Sequence, residues 1–208
     1  MIYEWRGGED YWVRIGTHHP RQILIIEPLF EEKNRTRRLI ADVMRGLDDR
    51  EIGSTLPDLP GTGESLTDTA TVGFDDWKDA ISAVDQIINP ALTVSLRGGA
   101  LLDRGAKRAW RLAPENGARI VRDLKRSQLT SAAATPLYAG HVLSDRFLSE
   151  LEAVLLPNHS TLRTIRLESD GAEADLKLAG TPLWRRAEPG EDAALAAAIV
   201  GDIAAWMS

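Results

Sequence analysis

Hydrophobic residues along this chain recur with two different spacings. Short continuous apolar runs predict buried strands at residues 22–29, 53–59, 91–96 and 109–112. Between these runs, apolar residues return every three or four positions, as at Leu39, Val43 and Leu47, and this spacing predicts amphipathic helices. Because predicted strands and helices alternate, we expect a three-layer α/β/α fold built on a mostly parallel sheet.

Turn-forming pairs at both ends of the chain predict antiparallel hairpins at the sheet edges. Gly7-Gly8 separates two apolar stretches near the start of the chain. Asp170-Gly171 separates residues 162–167 from residues 174–178, both of which alternate apolar and polar positions. Such pairs favour the tight turns that join neighbouring antiparallel strands.

The chain has the length and composition of one domain. Its 208 residues are 43% hydrophobic, which is enough for a sizeable core, so we assign residues 1–208 to a single domain. The pattern is weakest between Thr130 and Gly140. We therefore expect residues 130–160 to form a small, cap-like excursion from the sheet.

Charge and cysteine content exclude several classes of function. The formal net charge of −6 argues against nucleic acid or an anionic membrane surface as the main partner. The chain has no cysteine, so disulfides and thiolate chemistry are excluded, which suits a cytoplasmic protein. No segment approaches the length of a membrane-spanning helix, so we expect no membrane insertion.

The stretch Ala91-Leu-Thr-Val-Ser-Leu-Arg-Gly-Gly-Ala-Leu-Leu102 contains the most informative motif. An apolar run ends in small residues and passes into a helical pattern, as in the strand-turn-helix motif Gly-x-Ser-x-Gly. Ser95 and Gly99 occupy the two small positions of that motif, and Arg97 stands where the nucleophilic serine belongs. The sequence therefore predicts a sharp turn at Arg97 without its usual chemistry.

Three stretches together resemble a known family. Asp58-Leu-Pro-Gly-Thr-Gly-Glu-Ser65 and the turn at Arg97 resemble the α/β-hydrolase fold. Pro28-Leu-Phe-Glu-Glu-Lys-Asn-Arg-Thr-Arg-Arg38, Ser95-Leu-Arg-Gly-Gly-Ala-Leu-Leu102 and Gly180-Thr-Pro-Leu-Trp184 are similar to the exosortase A system-associated hydrolases, type-2 branch. The resemblance implies an α/β-hydrolase-like sheet, a reduced cap and a bacterial context of exported polysaccharide. The label of hydrolase there rests on fold analogy.

A Ser-His-Asp triad is not recognisable in the sequence. Arg97 cannot act as a nucleophile because its guanidinium stays protonated. The stretch from Gly180 to Gly190, where the base belongs, contains no histidine, and we interpret the histidines elsewhere in the chain as surface or loop residues: His18, His19, His141 and His159. Ser95 is left as a candidate nucleophile, with a small packing residue as the simpler interpretation. No residue spacing indicates a metal site, and we expect no cofactor.

Arg97 supports two hypotheses that remain open at this stage. Beside the backbone of Gly98 at a helix N-terminus, its guanidinium would bind a carboxylate or phosphate. Alternatively, Glu31 or Glu32 forms an internal ion pair with it. The candidate ligand-binding set is Arg97, Gly98, Glu31, Glu32, Asn34 and Trp184.

Three functions are compatible with these features. The first is a catalytically degenerate α/β-hydrolase-fold protein that binds a small anionic ligand or a partner protein. The second is an active esterase or thioesterase with non-standard catalytic residues. The third is a scaffold protein without a pocket ligand.

Overall fold

The computed structural model describes residues 1–128 and 137–208, and these residues form an eight-stranded sheet flanked by helices. The strands are β1 (Ile2–Trp5), β2 (Gly8–Ile15), β3 (Arg21–Ile26), β4 (Ile52–Pro57), β5 (Leu92–Leu96), β6 (Ala109–Leu112), β7 (Leu162–Leu167) and β8 (Leu176–Leu178). The helices are α1 (Glu31–Asp48), α2 (Phe74–Ile88), α3 (Gly117–Gln128), α4 (Asp145–Ala153) and α5 (Ala193–Met207). No helix in the described part of the chain is long and apolar enough to cross a bilayer.

The sheet separates two hydrophobic cores, which confirms the predicted three-layer fold. Alternate residues of β3 point to opposite faces, so Ile23 and Ile25 join the core under α1 and α5, while Leu24 and Ile26 join the core under α2, α3 and α4. Burial on both faces explains why the sequence of this strand is a continuous apolar run rather than an alternating one.

The strand order is β1-β2-β4-β3-β5-β6-β7-β8. Strand β2 runs antiparallel to both of its neighbours, β1 and β4, and all the other neighbouring pairs are parallel. The chain leaves β3 toward one edge of the sheet and returns to build the other edge from β5. The carboxyl ends of β3 and β5 therefore flank the point where the direction of winding reverses, which is where ligands bind in open α/β sheets.

The hairpin predicted at the C-terminal edge is wrong, whereas the one formed by β1 and β2 is confirmed. Strand β8 pairs with β7 in parallel. The Asp170 carboxylate accepts from the backbone N–H of Ala172, so a turn does form, but the chain then runs back along β7. Asp175 meets Thr164 through two hydrogen bonds before β8 begins, and this return sets the parallel direction.

Two predicted helices also differ from the structure. Residues 97–101 and 103–105 form two short 3₁₀ helices instead of an α-helix, because a parallel crossover as short as residues 97–108 leaves no room for one. The spacing of Leu143, Phe147, Leu151 and Leu155 predicts a further helix, but α4 begins at Asp145 and ends at Ala153, so Leu143 and Leu155 lie outside it and Leu155 is 81% exposed. The first part of the predicted excursion, residues 130–136, lies outside the described residues.

The turn after β5 approaches the end of β3 closely at Gly99. A Cβ at this position would lie 2.4 Å from the carbonyl oxygen of Glu27 and 2.7 Å from that of Ile26. We expect Gly99→Ala to lower the free energy of unfolding by about 1–3 kcal/mol, because backbone must move to admit the methyl group. Urea denaturation measures this loss.

The matched control is Gly171→Ala. A Cβ on Gly171 meets no atom within 4 Å, so this variant should unfold within about 0.5 kcal/mol of the wild type. Equal stability of the two alanine variants would contradict the close approach at Gly99.

Candidate functional site at the end of β5

The chain turns sharply at Arg97, as the sequence predicts. Arg97 directly follows β5 and has a φ of 53°, in the left-handed region that L-residues rarely adopt. Three further non-glycine residues with positive φ surround it: Phe30 at the start of α1, Ala113 after β6 and Ala139. Left-handed backbone costs about 1–2 kcal/mol per residue, and such strain clusters where a structure has been shaped for function.

The side chain of Arg97 is held on every side by the protein. Its Nε donates to Glu32 Oε2 at 3.1 Å and its Nη2 to Glu32 Oε1 at 3.1 Å. Nη2 also lies 3.3 Å from Glu115 Oε2, and Nη1 donates to the carbonyl oxygen of Ala113 at 2.8 Å. The guanidinium stands over the ring of Trp184, 5.1 Å from its centroid.

These contacts establish the ion pair of the second hypothesis for Arg97. The residue is only 8% exposed, and two carboxylates already neutralise it. Arg97 is therefore the centre of an internal ion pair, and Glu32 rather than Glu31 is its partner from α1. Burial raises the pKa of the Glu32 carboxyl, and the nearby charge of Glu115 adds to this, although the attraction of Arg97 opposes it.

The other predicted binding residues divide into two groups. Gly98, Glu31 and Trp184 line the same cavity as Arg97 and Glu32. Asn34 is exposed on α1 and is not among the residues that line this cavity, so the structure does not bring it to the site. Glu31 lies 3.9 Å from Arg35, one turn further along α1.

The cavity, which we call the elbow cavity, has a volume of about 360 Å³. Its apolar wall consists of Leu29, Phe30, Ile120, Leu124 and Ala139. Its remaining charged residues are Glu31, Arg35, Glu115, Arg119, Asp123 and Arg185. The Arg119 guanidinium lies 3.2 Å from Glu115, so this carboxylate pairs with both Arg97 and Arg119.

Two buried N–H donors at the elbow cavity have no acceptor among the described residues. They are Arg35 Nε and Trp184 Nε1. Arg35 Nη1 donates to the carbonyl oxygen of Trp184 at 3.1 Å, which holds the Arg35 side chain against the backbone of Trp184. Buried donors are nearly always hydrogen-bonded, so these two N–H groups are available to an acceptor that reaches them.

Ser95, the candidate nucleophile, is completely buried. Its hydroxyl donates to Asp103 Oδ2 at 2.9 Å, and it lines neither of the two cavities described in this structure. Asp103 also accepts from Arg111 at 2.8 Å through both oxygens and lies 2.9 Å from His159 Nε2. Ser95 therefore belongs to a buried polar cluster and is not accessible from either cavity.

His159 and His19 lie in loops, as the sequence predicts, but neither side chain is at the surface. The side chain of His159 is 4% exposed, because Asp103 draws the loop that carries it into the core. His19 is also largely buried, 2.8 Å from Asp48. His18 is exposed, and His141 packs its ring against Phe30, where burial lowers its pKa.

Several polar residues at this edge of the sheet were missed by sequence reasoning. Glu115 follows Pro114 after β6, and its position beyond a buried strand is the signal that could have identified it. Lys33 bridges Glu27 and Asp58, each at 2.6 Å from its Nζ. No group of three metal-ligating side chains occurs in residues 1–128 and 137–208.

Solved structures with the same architecture cover the whole chain. AqDC, which cleaves the ring of the Pseudomonas quinolone signal, matches 100% of this chain and 98% of its own, with a TM-score of 0.65 and 9% identity. Est1E from Butyrivibrio proteoclasticus matches 100% and 98%, with a TM-score of 0.64 and 12% identity. The bottromycin epimerase BotH matches 100% and 99%, with a TM-score of 0.58 and 12% identity.

The chain has an α/β-hydrolase fold. No protein-family model matches it, and a search of curated proteins finds no match. In an α/β-hydrolase, the residue at the sharp turn is the nucleophile and its base comes later in the chain. Here Arg97 occupies the turn, and the ring that covers it belongs to Trp184, from the stretch after the last strand.

The ion pair at Arg97 makes a testable contribution to stability. We expect Arg97→Met to lower the free energy of unfolding by about 3–5 kcal/mol at neutral pH, because Glu32 and Glu115 are left as buried charges without a cation. The loss should shrink in acidic buffer, where the raised pKa of Glu32 allows the carboxyl to be neutral. Denaturant unfolding at several pH values measures both effects.

Two further variants separate charge from packing. Arg104→Met removes an exposed arginine that has no ion pair among the described residues, and should be nearly neutral. Adding Glu32→Gln to Arg97→Met should recover part of the lost stability. A double variant that is less stable than Arg97→Met would contradict the ion-pair account.

Proposed function

We propose that this protein is a catalytically degenerate α/β-hydrolase-fold protein that binds a small molecule in the elbow cavity. The ligand combines an apolar body with an anionic group. The observation that carries the proposal is a pair of donors without acceptors among the described residues, Arg35 Nε and Trp184 Nε1, which are buried in two side chains that line one cavity. A movement of these side chains that exposes the donors would let a carboxylate or phosphate in the cavity accept from both.

The cavity offers complementary chemistry to both parts of such a ligand. Its apolar wall, formed mainly by Leu29, Phe30 and Ile120, accommodates the body. The guanidinium of Arg35, which carries one of the two donors, provides positive charge, and the carboxylate of Glu31 lies 3.9 Å from it. Of the two roles that the sequence leaves open for Arg97, we assign it the ion pair, in which it fixes the cavity wall while Arg35 holds the anion.

Two related proteins support a small organic ligand. Est1E has been solved with bound ferulic acid, and BotH has been solved with bottromycin A2. Ferulic acid unites an aromatic body and an acid group, which is the ligand class proposed for the elbow cavity. The biological context we propose is cytoplasmic and linked to bacterial exosortase and exopolysaccharide functions, on the basis of the three sequence stretches that resemble that group.

A thermal-shift screen of small carboxylates and phosphates tests this function. We expect at least one aromatic or aliphatic carboxylate to raise the Tm of the wild type, since a ligand of the native state stabilises it. Trp184→Phe keeps the ring over Arg97 but removes the indole N–H. We expect it to weaken the same ligand about tenfold, because a charge-assisted hydrogen bond is lost.

The matched control is Trp206→Phe, at a tryptophan of α5 that does not line the elbow cavity. It should bind the ligand like the wild type. Failure of every anion to stabilise the wild type, or equal binding by Trp184→Phe, would overturn the proposal. Turnover of activated acyl esters that disappears in Ser95→Ala would instead establish an active hydrolase.

A further inference from the structure

We propose that a second cavity of this protein binds a small apolar amine. This cavity, which we call the α2 cavity, has a volume of about 700 Å³ and lies between α2, the two 3₁₀ helices after β5 and residues 153–158. None of its lining residues lines the elbow cavity. The inference is therefore independent of the proposed function.

Asp85 supplies the anionic group of the α2 cavity. It is half-buried on α2, and a Cβ on Gly105 would lie 3.5 Å from its Oδ2, so the carboxylate faces the second 3₁₀ helix. Its side chain makes no hydrogen bond or ion pair within the described part of the chain. Burial raises its pKa, and Lys107 is the positive charge that opposes this effect.

The other charged groups of the cavity are occupied or remote. Asp79 is paired with Arg6 at 2.7 Å, and Lys78 with Asp75 at 2.7 Å. Asp103 is satisfied by the buried polar cluster around it. Arg104 is exposed and forms no ion pair with any described residue. Among the described residues, Asp85 is thus the carboxylate of this cavity that is left for a cation.

The remainder of the lining is suited to a hydrocarbon chain. Its apolar residues come from several elements: Leu24 from β3, Ile81 from α2, Leu101 and Leu102 from the segment after β5, and Val154 and Leu156 from the segment after α4. Leu155, which also lines the cavity, is 81% exposed. An ammonium group at Asp85 with an apolar chain along this wall would neutralise the unpaired carboxylate and remove apolar surface from water.

Calorimetric titration of hexylamine into the full-length protein tests this site. We expect saturable binding of hexylamine and none of hexanol or hexanoate at the same concentrations, because the chain length is shared and only the amine is cationic. Asp85→Asn should weaken hexylamine at least tenfold. This variant should also fold at least as stably as the wild type, since it removes a desolvated charge that has no partner.

Two control variants locate the binding. Asp145→Asn changes an exposed acidic residue of α4 outside the cavity and should bind hexylamine normally. Trp184→Phe alters the elbow cavity alone and should also leave hexylamine unaffected. Equal binding of hexanol, or unchanged binding by a folded Asp85→Asn protein, would overturn the proposal. Neither result would bear on the anion proposed for the elbow cavity.

Discussion

The ion pair centred on Arg97 is the interaction on which the carboxyl edge of this sheet depends. It joins the start of α1 through Glu32, the turn after β5 through Arg97 itself, and the segment after β6 through Glu115 and Ala113. An arginine with 8% exposure is tolerated only with charged partners and hydrogen bonds. Because Arg97 is buried at the turn, the carboxylates of Glu32 and Glu115 are needed to neutralise it, and they fix their own segments to the turn.

The same arrangement recurs beside it with a different cation. Lys33 lies between Glu27 and Asp58 as Arg97 lies between Glu32 and Glu115. One cation shared by two buried carboxylates cannot offset the desolvation of both, so burial raises the pKa of both Glu27 and Glu32. The native state then binds these protons more tightly than the unfolded chain does. Stability contributed by these two carboxyls therefore falls as the pH rises from their ordinary pKa through the raised one.

Sequence patterns were sufficient for the sheet, the sharp turn and one half of the site. Continuous apolar runs identify β3 and β5 because both faces of these strands are buried, and Glu31 and Glu32 were both proposed as partners of Arg97 because they follow the strand that precedes α1. The parallel pairing of β8, the burial of His159 and the role of Glu115 were not predictable in this way. Each depends on a long-range contact, such as Asp175 with Thr164 or His159 with Asp103, that leaves no local periodicity.

The strained backbone around Arg97 keeps the shape of an α/β-hydrolase turn, although the residue at the turn cannot act as a nucleophile. Phe30, Arg97 and Ala113 adopt left-handed conformations that shape the turn. Arg97 stays protonated and cannot attack a substrate, and Ser95 is completely buried. The sharp turn of an α/β-hydrolase is thus retained with an arginine at the position of the nucleophile. Two donors without acceptors among the described residues lie in side chains that line the adjoining cavity, next to an apolar wall. These two features are the reason we propose binding rather than hydrolysis at this site.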